Sequence, residues 1–202
     1  MMKIVFFHGS MQSGGIERTI SLLSNLYCKR GEVPDARLLM IGEGSQCPQL
    51  EVLITAYHLE DSVTLLGFRK NPFAYLAKSA LYVLSSYTEG FPNALVEGMT
   101  FPPAVAVDCK SGPREILSDG AIDHVCKGFE EADYGILVQP SEKREFCEAL
   151  TENDRSLADA ILSVLTDPVK SKVLQEKAQS RVEAFSYAAY RKALLSLLEG
   201  IY

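Results

Sequence analysis

The stretch ALYVLSSYTEGFPNALVEGM (Ala80–Met99) decides the fold. It begins with an apolar run of strand length, Ala80–Ser86, without polar alternation, which reads as a strand buried on both faces. A glycine-bearing loop follows. The run from Asn93 to Thr100 then reads as a helix, with Pro92 suited to a first helical position and Asn93 to an N-cap or first turn. Strand, glycine loop and helix in this order form one half of a βαβ unit.

The same alternation extends both ways along the chain. Upstream, Lys3–Phe7, Arg37–Gly42 and the SVTLLG run are short apolar strands, and downstream Ala104–Val107 and Gly135–Val138 are two more. Helical spacing marks the segment after Gly14, then Gln49–His58, Pro72–Lys78 and Gly112–Leu117. Three helical stretches close the chain, Asp154–Thr166, Pro168–Phe185 and Tyr187–Glu199, the second running toward FSY without a clear stop. The fold class is therefore α/β: a single Rossmann-like domain with a parallel sheet of about six strands covered on both faces, plus C-terminal helices. Asp119–Tyr134 carries no periodicity and is expected to be a surface loop.

Composition narrows the function classes. The 202 residues suffice for one sizeable core, and 47% hydrophobic with 23% charged residues is ordinary for a globular protein. A net charge of −6 with no basic run argues against nucleic acid as a partner. No apolar run approaches the ~18 residues that would span a bilayer. The five cysteines are scattered, with no Cys-x-x-Cys pair, which fits reduced thiols in a cytoplasmic chain.

Ligands of open parallel sheets bind beyond the carboxyl ends of the strands. Glycine-bearing loops gather there: HGSMQSGG, then IGEGS with Gly42 and Gly44, LGFRKN with Phe68, YTEGFPN, and CKSGP. In the decisive stretch Glu89 precedes the helix and Glu97 lies one turn inside it. The backbone amides of Asn93, Ala94 and Leu95 are expected to lack helical partners and to be open to phosphate. Glu97 can accept two hydrogen bonds from a vicinal diol such as a ribose, and Glu89 can meet a sugar beyond the phosphates. A glutamate in a first turn is also an ordinary dipole partner, and a loop glutamate beside glycine an ordinary solvated one; spacing alone leaves both roles standing.

TEGFPNALVEGM resembles the signature of the retaining GT-B glycosyltransferases of glycosyltransferase family 4 (glycosyl transferases group 1), a glutamate, seven residues and a second glutamate. The flanks agree in order: VPDARLLMIGEG, VTLLGFRKNPFAYLAKSALYVLSS, VAVDCKSGPREIL, YGILVQP and FSY. The resemblance runs from Val33 to about Tyr190. It implies a donor domain that binds a nucleotide-sugar, commonly a UDP- or GDP-sugar, for retaining transfer in cell-surface polysaccharide synthesis. Glu89 would be the catalytic carboxylate at the donor sugar and Glu97 the ribose ligand, with Gly90, Phe91, Pro92, Asn93, Ala94 and Leu95 around sugar and phosphates. Gly42, Gly44 and Phe68 would complete the donor site. The nucleotide-sugar is a substrate; no cofactor is implied, and no Asp-x-Asp or His/Cys cluster suggests a metal. Members of the family also associate peripherally with membranes.

Residues 1–31 resemble a different part of the family, the first strand, glycine loop and helix of the acceptor-side domain. About 150 residues normally separate that unit from VPDARLLMIGEG, on the scale of a usual domain. The expected division is therefore 1–31, a β-loop-α unit docked on the sheet through Ile4, Phe6, Ile20 and Leu23, and 32–202, the donor domain, with most of the acceptor domain absent. A complete donor domain of the family begins with its own strand, loop and helix, whose loop carries an arginine and a lysine that stabilise the donor diphosphate, and the 1–31 unit takes that place in this chain. Here Ser10 and Ser13 occupy those positions, and Arg18 lies on the following helix. His8, His58 and His124 offer no equivalent of the family's catalytic-face histidine. The resemblance thus supports two readings, a glycosyltransferase and a catalytically impaired nucleotide-sugar binding module; a sugar-nucleotide epimerase of related fold fits the two-glutamate motif poorly. The last helix would lose the cover of the acceptor domain at Tyr190, Leu194, Leu197 and Leu198, so self-association through it is expected. MTFPPAVAVDC is one residue shorter than the family run and carries Pro102 and Pro103 in place of a glycine, which predicts an altered turn.

Overall fold

A computed structural model describes residues 3–7, 36–119, 126–140 and 151–199. Among them seven strands form one sheet: β1 (Lys3–Phe7), β2 (Arg37–Ile41), β3 (Val63–Gly67), β4 (Leu81–Leu84), β5 (Ala104–Val107), β6 (Phe129–Glu131) and β7 (Ile136–Val138). Seven described helices accompany them: α1 (Cys47–Ala56), α2 (Phe73–Leu76), α3 (Asn93–Gly98), α4 (Pro113–Leu117), α5 (Glu152–Leu165), α6 (Pro168–Glu183) and α7 (Tyr187–Glu199). The strand order is β3-β2-β1-β4-β5-β7-β6, and every pairing is parallel except the edge pair β6–β7.

β1 lies inside the sheet, with Ile4 opposite both Leu38 of β2 and Leu81 of β4. The direction of strand addition reverses between β1 and β4, so the crevice for a ligand opens at the carboxyl ends of these two strands. The rest of the 1–31 unit, with His8, Ser10, Ser13, Arg18, Ile20 and Leu23, lies outside the described residues, as does His124.

Alternation of side chains across the pleat builds two cores. Leu38, Met40, Leu81, Val83, Val105, Ile136 and Val138 point to the face covered by α1 and α5. Tyr82, Leu84, Ala104, Ala106 and Leu137 point to the face covered by α3 and α4. Burial on both faces explains why β4, β5 and β7 carry no polar residue. Each fully buried large side chain contributes about 1.5–3 kcal/mol. The second face is thinner. Alanines lie in β5, and α3 presents Gly98 to the Tyr82 ring, where an added Cβ would come within 2.5 Å of the ring carbons.

The sequence expectations need four corrections. Among the described residues the sheet has seven strands against about six expected, because Phe129–Glu131 folds back on β7 within the segment expected to be loop. It is an exposed edge strand with two glutamates, so no apolar run announces it; the Gly128 N–H donates to the Gln139 side chain, and Arg114 pairs with Glu130 at 2.9 Å. α5 starts at Glu152, two residues early, because Thr151 and Asp154 form a reciprocal capping box. α6 does stop, at Glu183, and Ser186 begins α7, its hydroxyl accepting from the Ala189 N–H. Pro92 lies one position before α3, not inside it. At the shortened Pro102–Pro103 turn, the Pro103 carbonyl accepts the Tyr82 N–H at 2.9 Å and leads directly into β5.

Candidate functional site at the carboxyl edge of the sheet

Four described loops meet at this edge, after β2, β3, β4 and β5. The first two are joined by hydrogen bonds: the Gly42 N–H donates to the Gly67 carbonyl at 3.0 Å, and the Phe68 N–H to the Glu43 carboxylate at 3.2 Å. Gly42 and Gly67 both have positive φ, 139° and 65°, which turns the chain out of each strand. The Phe68 ring is 69% exposed beside the crevice, and Gly44 is half-buried.

The loop after β4 carries Glu89–Asn93 and is held from the loop after β5. The Ser111 hydroxyl donates to the Glu89 carbonyl at 2.8 Å. Gly112, at φ 83°, comes so close that an added Cβ would lie 2.2 Å from the Gly90 carbonyl oxygen and 2.5 Å from Pro92 Cδ. Pro92 is buried, Glu89 and Glu97 are half-buried, and Gly90, Phe91 and Asn93 are exposed. Glu89 and Glu97 share one neighbourhood: burial pushes the Tyr82 phenol well above its ordinary value, and both carboxylates add to that push. Burial first, then the Glu89 charge, also drives the Cys109 thiol up to about 11.

The expected row of free amides is reduced. The Asn93 N–H donates to the Phe91 carbonyl at 3.0 Å and the Leu95 N–H to the Pro92 carbonyl at 2.9 Å. Of the three, the Ala94 N–H alone makes no described backbone bond outside the helix. The loop folds back on itself before the helix begins, which spacing could not reveal. The Leu95 side chain is fully buried in the core, so only its backbone faces the site region. His58 is exposed at φ 54° just after α1 and takes no part in the site.

On the outer side of α3 an open cavity of about 680 Å³ separates it from α7, with Phe91, Asn93, Glu97, Phe185, Tyr187 and Tyr190 in its walls. Residues that spacing did not single out are Ser111, Arg181 and Phe185. Ser111 and Gly112 follow β5 in the CKSGP loop, which glycine content alone had marked; nothing local marked Arg181.

Buried beneath the β5 loop, Asp108 forms a bidentate pair with Arg114, the contacts to Nε being 3.0 and 3.2 Å, and it also accepts the Cys126 N–H at 2.9 Å. The pair fixes where β5 ends and α4 begins, and so holds Ser111 and Gly112 in place.

Known proteins share this organisation. The chain is 37% identical over 146 residues, 66% of its length, to an uncharacterized glycosyltransferase of Methanocaldococcus jannaschii, and covers 35% of that protein. It is 31% identical over 167 residues, 82% of its length, to the N-acetylgalactosamine-N,N'-diacetylbacillosaminyl-diphospho-undecaprenol 4-alpha-N-acetylgalactosaminyltransferase of Campylobacter jejuni, and covers 40% of that one. The chain therefore spans about two fifths or less of these relatives. Among solved structures, Anabaena HepE in complex with UDP superposes with a TM-score of 0.75 at 22% identity, over 98% of this chain and 49% of that one; at that identity the likeness is one of fold. The sheet order, the two-glutamate stretch and a match of residues 2–167 to the family model agree, and the chain belongs to the family Glycosyl transferases group 1.

Proposed function

We propose that this chain supplies the nucleotide-sugar-binding half of a retaining glycosyltransferase acting in cell-surface polysaccharide synthesis. One observation carries the reading: Glu89 and Glu97 flank a tightly held loop at the switch point of the sheet, near one buried tyrosine. In this reading Glu97 accepts the ribose diol and Glu89 meets the donor sugar. Gly90–Leu95, with Gly42, Gly44 and Phe68, surround the diphosphate and base. A UDP- or GDP-sugar is the donor, and the UDP held by a neighbour of the same fold supports the first. The division into 1–31 and 32–202 belongs to the same reading; the parallel pairing of β1 with β2 and β4 supports docking of the first unit on the sheet.

Calorimetric titration with UDP, GDP and their sugar conjugates tests the proposal, with Glu97→Ala as control. Binding that Glu97→Ala loses is the expected result. A folded chain that binds none of these nucleotides would sink the reading.

Ser10 and Ser13, where the family carries cations, favour a second reading, binding without transfer. Electrostatic stabilisation of a leaving group is worth about 2.7–4 kcal/mol for a single donor. Release of sugar from labelled donor separates the two. The exposed leucines and tyrosines of α7 support self-association as part of the proposal; a strict monomer by light scattering at high concentration would count against it. Among the described residues no helix is long and apolar enough to cross a membrane; peripheral membrane association, as in family members, is part of the proposal.

A further inference from the structure

We infer that Arg181 is a positioning residue for the donor loop, acting through Phe185 and Phe91. The inference rests on the donor reading above and extends it to the C-terminal helices.

α6 is a polar helix that buries only Leu174 and Ala178, so packing holds its last turn weakly. Arg181 in that turn is held by its guanidinium instead. Its Nε donates to the Ile116 carbonyl at 2.9 Å and Nη2 to the Glu115 carbonyl at 2.8 Å, while Nη1 pairs with Asp119 at 3.0 Å. The two carbonyls belong to the end of α4, where helical partners run out. Only a planar fork satisfies three acceptors in these directions; a lysine ammonium does not. Two rings flank the same guanidinium, Tyr134 at 4.7 Å and Phe185 at 5.1 Å.

Phe185 then carries the constraint to the site. Its ring meets Phe91 edge to face, centroids 5.5 Å apart at 62°. Phe91 stands between Glu89 and Asn93, and its carbonyl accepts the Asn93 N–H. The β5 loop supports the donor loop from beneath through Ser111 and Gly112, and the Arg181–Phe185 pair supports it from the side. Without the second support Phe91 is free to swing, and Glu89, two residues away, swings with it. Glu97 lies inside α3 and is anchored by Leu95 and Gly98 against β4. The donor's sugar end should therefore feel Arg181 more than its nucleoside end.

The test compares Arg181→Lys, Phe185→Leu and Phe185→Tyr with the unaltered chain, by titration with UDP and UDP-glucose, or GDP and GDP-mannose if guanine nucleotides bind. Amide hydrogen exchange over residues 88–94 and 104–107 is followed in parallel. Arg181→Lys and Phe185→Leu should weaken the sugar conjugate about tenfold, within the range of coupling between contacting residues, and the free diphosphate less. Exchange should quicken over 88–94 but not over 104–107, and Phe185→Tyr, which keeps the ring, should behave as the unaltered chain. Equal losses for diphosphate and conjugate, or quicker exchange spread evenly over both segments, would overturn the inference in favour of a merely structural role. An unaltered chain that binds no nucleotide would refute the donor reading instead, and the exchange pattern would still judge the contact from Arg181 to the loop.

Discussion

Gly112→Ala is the most informative single substitution. Gly112 has φ 83° and ψ −67°, a conformation that is strained for any residue with a Cβ; holding alanine there costs about 1–3 kcal/mol. The new methyl would also lie 2.2 Å from the Gly90 carbonyl oxygen and 2.5 Å from Pro92 Cδ. The first distance is roughly 1 Å short of ordinary contact, and neither atom belongs to a flexible side chain. Relief requires the Glu89–Pro92 loop to move by about 1 Å or the β5 loop to retreat, and overpacking of this kind adds about 1–3 kcal/mol. The total, about 2–6 kcal/mol, predicts a melting temperature lower by about 4–24 °C for a chain of this size. A displacement of about 1 Å breaks a hydrogen bond from the donor to the Glu89 carboxylate, worth about 1.5–3 kcal/mol, so the affinity for nucleotide-sugar should fall about tenfold or more. Calorimetric titration well below the melting transition isolates this effect from unfolding. Unchanged melting and unchanged affinity would refute the close approach of the two loops. Lower melting with unchanged affinity would show that the contact stabilises the fold without positioning Glu89.

Two further outcomes follow from the buried groups. Asp108→Ala removes the buried carboxylate that Arg114 pairs with, while the partly exposed Glu130 stays at 2.9 Å; loss of one member of a buried pair costs about 3–5 kcal/mol, and denaturant unfolding should report a loss near the lower end. The Cys109 and Cys126 thiols are both pushed up to about 11 from 9.0, chiefly by burial, so at pH 8 neither should react with an aromatic disulfide titrant until the chain unfolds. The unfolded thiols ionise first, near pH 9, while the folded ones keep their protons. Their contribution to stability is therefore complete below pH 9 and is lost as pH rises toward 11, which unfolding midpoints across that range would check.

How far the sequence could be read depends on whether a feature is local. β4, β5 and β7 are buried on both faces, and burial on both faces forces an unbroken apolar run. The helices behind them carry their own punctuation, Pro113 and Pro168 at starts and Asp167 as a cap that accepts from the Val169 and Lys170 amides. β6 left no such trace, because an exposed edge strand of three residues obtains its structure from its partner. The candidate site divides in the same way. Glu89 and Glu97 were legible because a seven-residue gap across a helix start is a property of the chain itself. The partnered amides of Asn93 and Leu95 were not, because they depend on how tightly the loop turns.

The sequence by itself therefore determined the element types, the alternating order that makes a parallel sheet, and the residue types at the candidate donor loop. Apolar runs, caps and glycines act within a few residues of themselves, and that range is what a single chain can display. Only the tertiary structure decided that β1 stands between β2 and β4, that Gly112 lies against Gly90, and that Arg181 reaches Phe91 through Phe185. Apart from the step from Arg181 to Phe185, these contacts join residues 22 or more positions apart, as Ser111 to Glu89 also does. They arise from the sheet order and the return of α6 across α4, and no local periodicity records where a chain will come back upon itself.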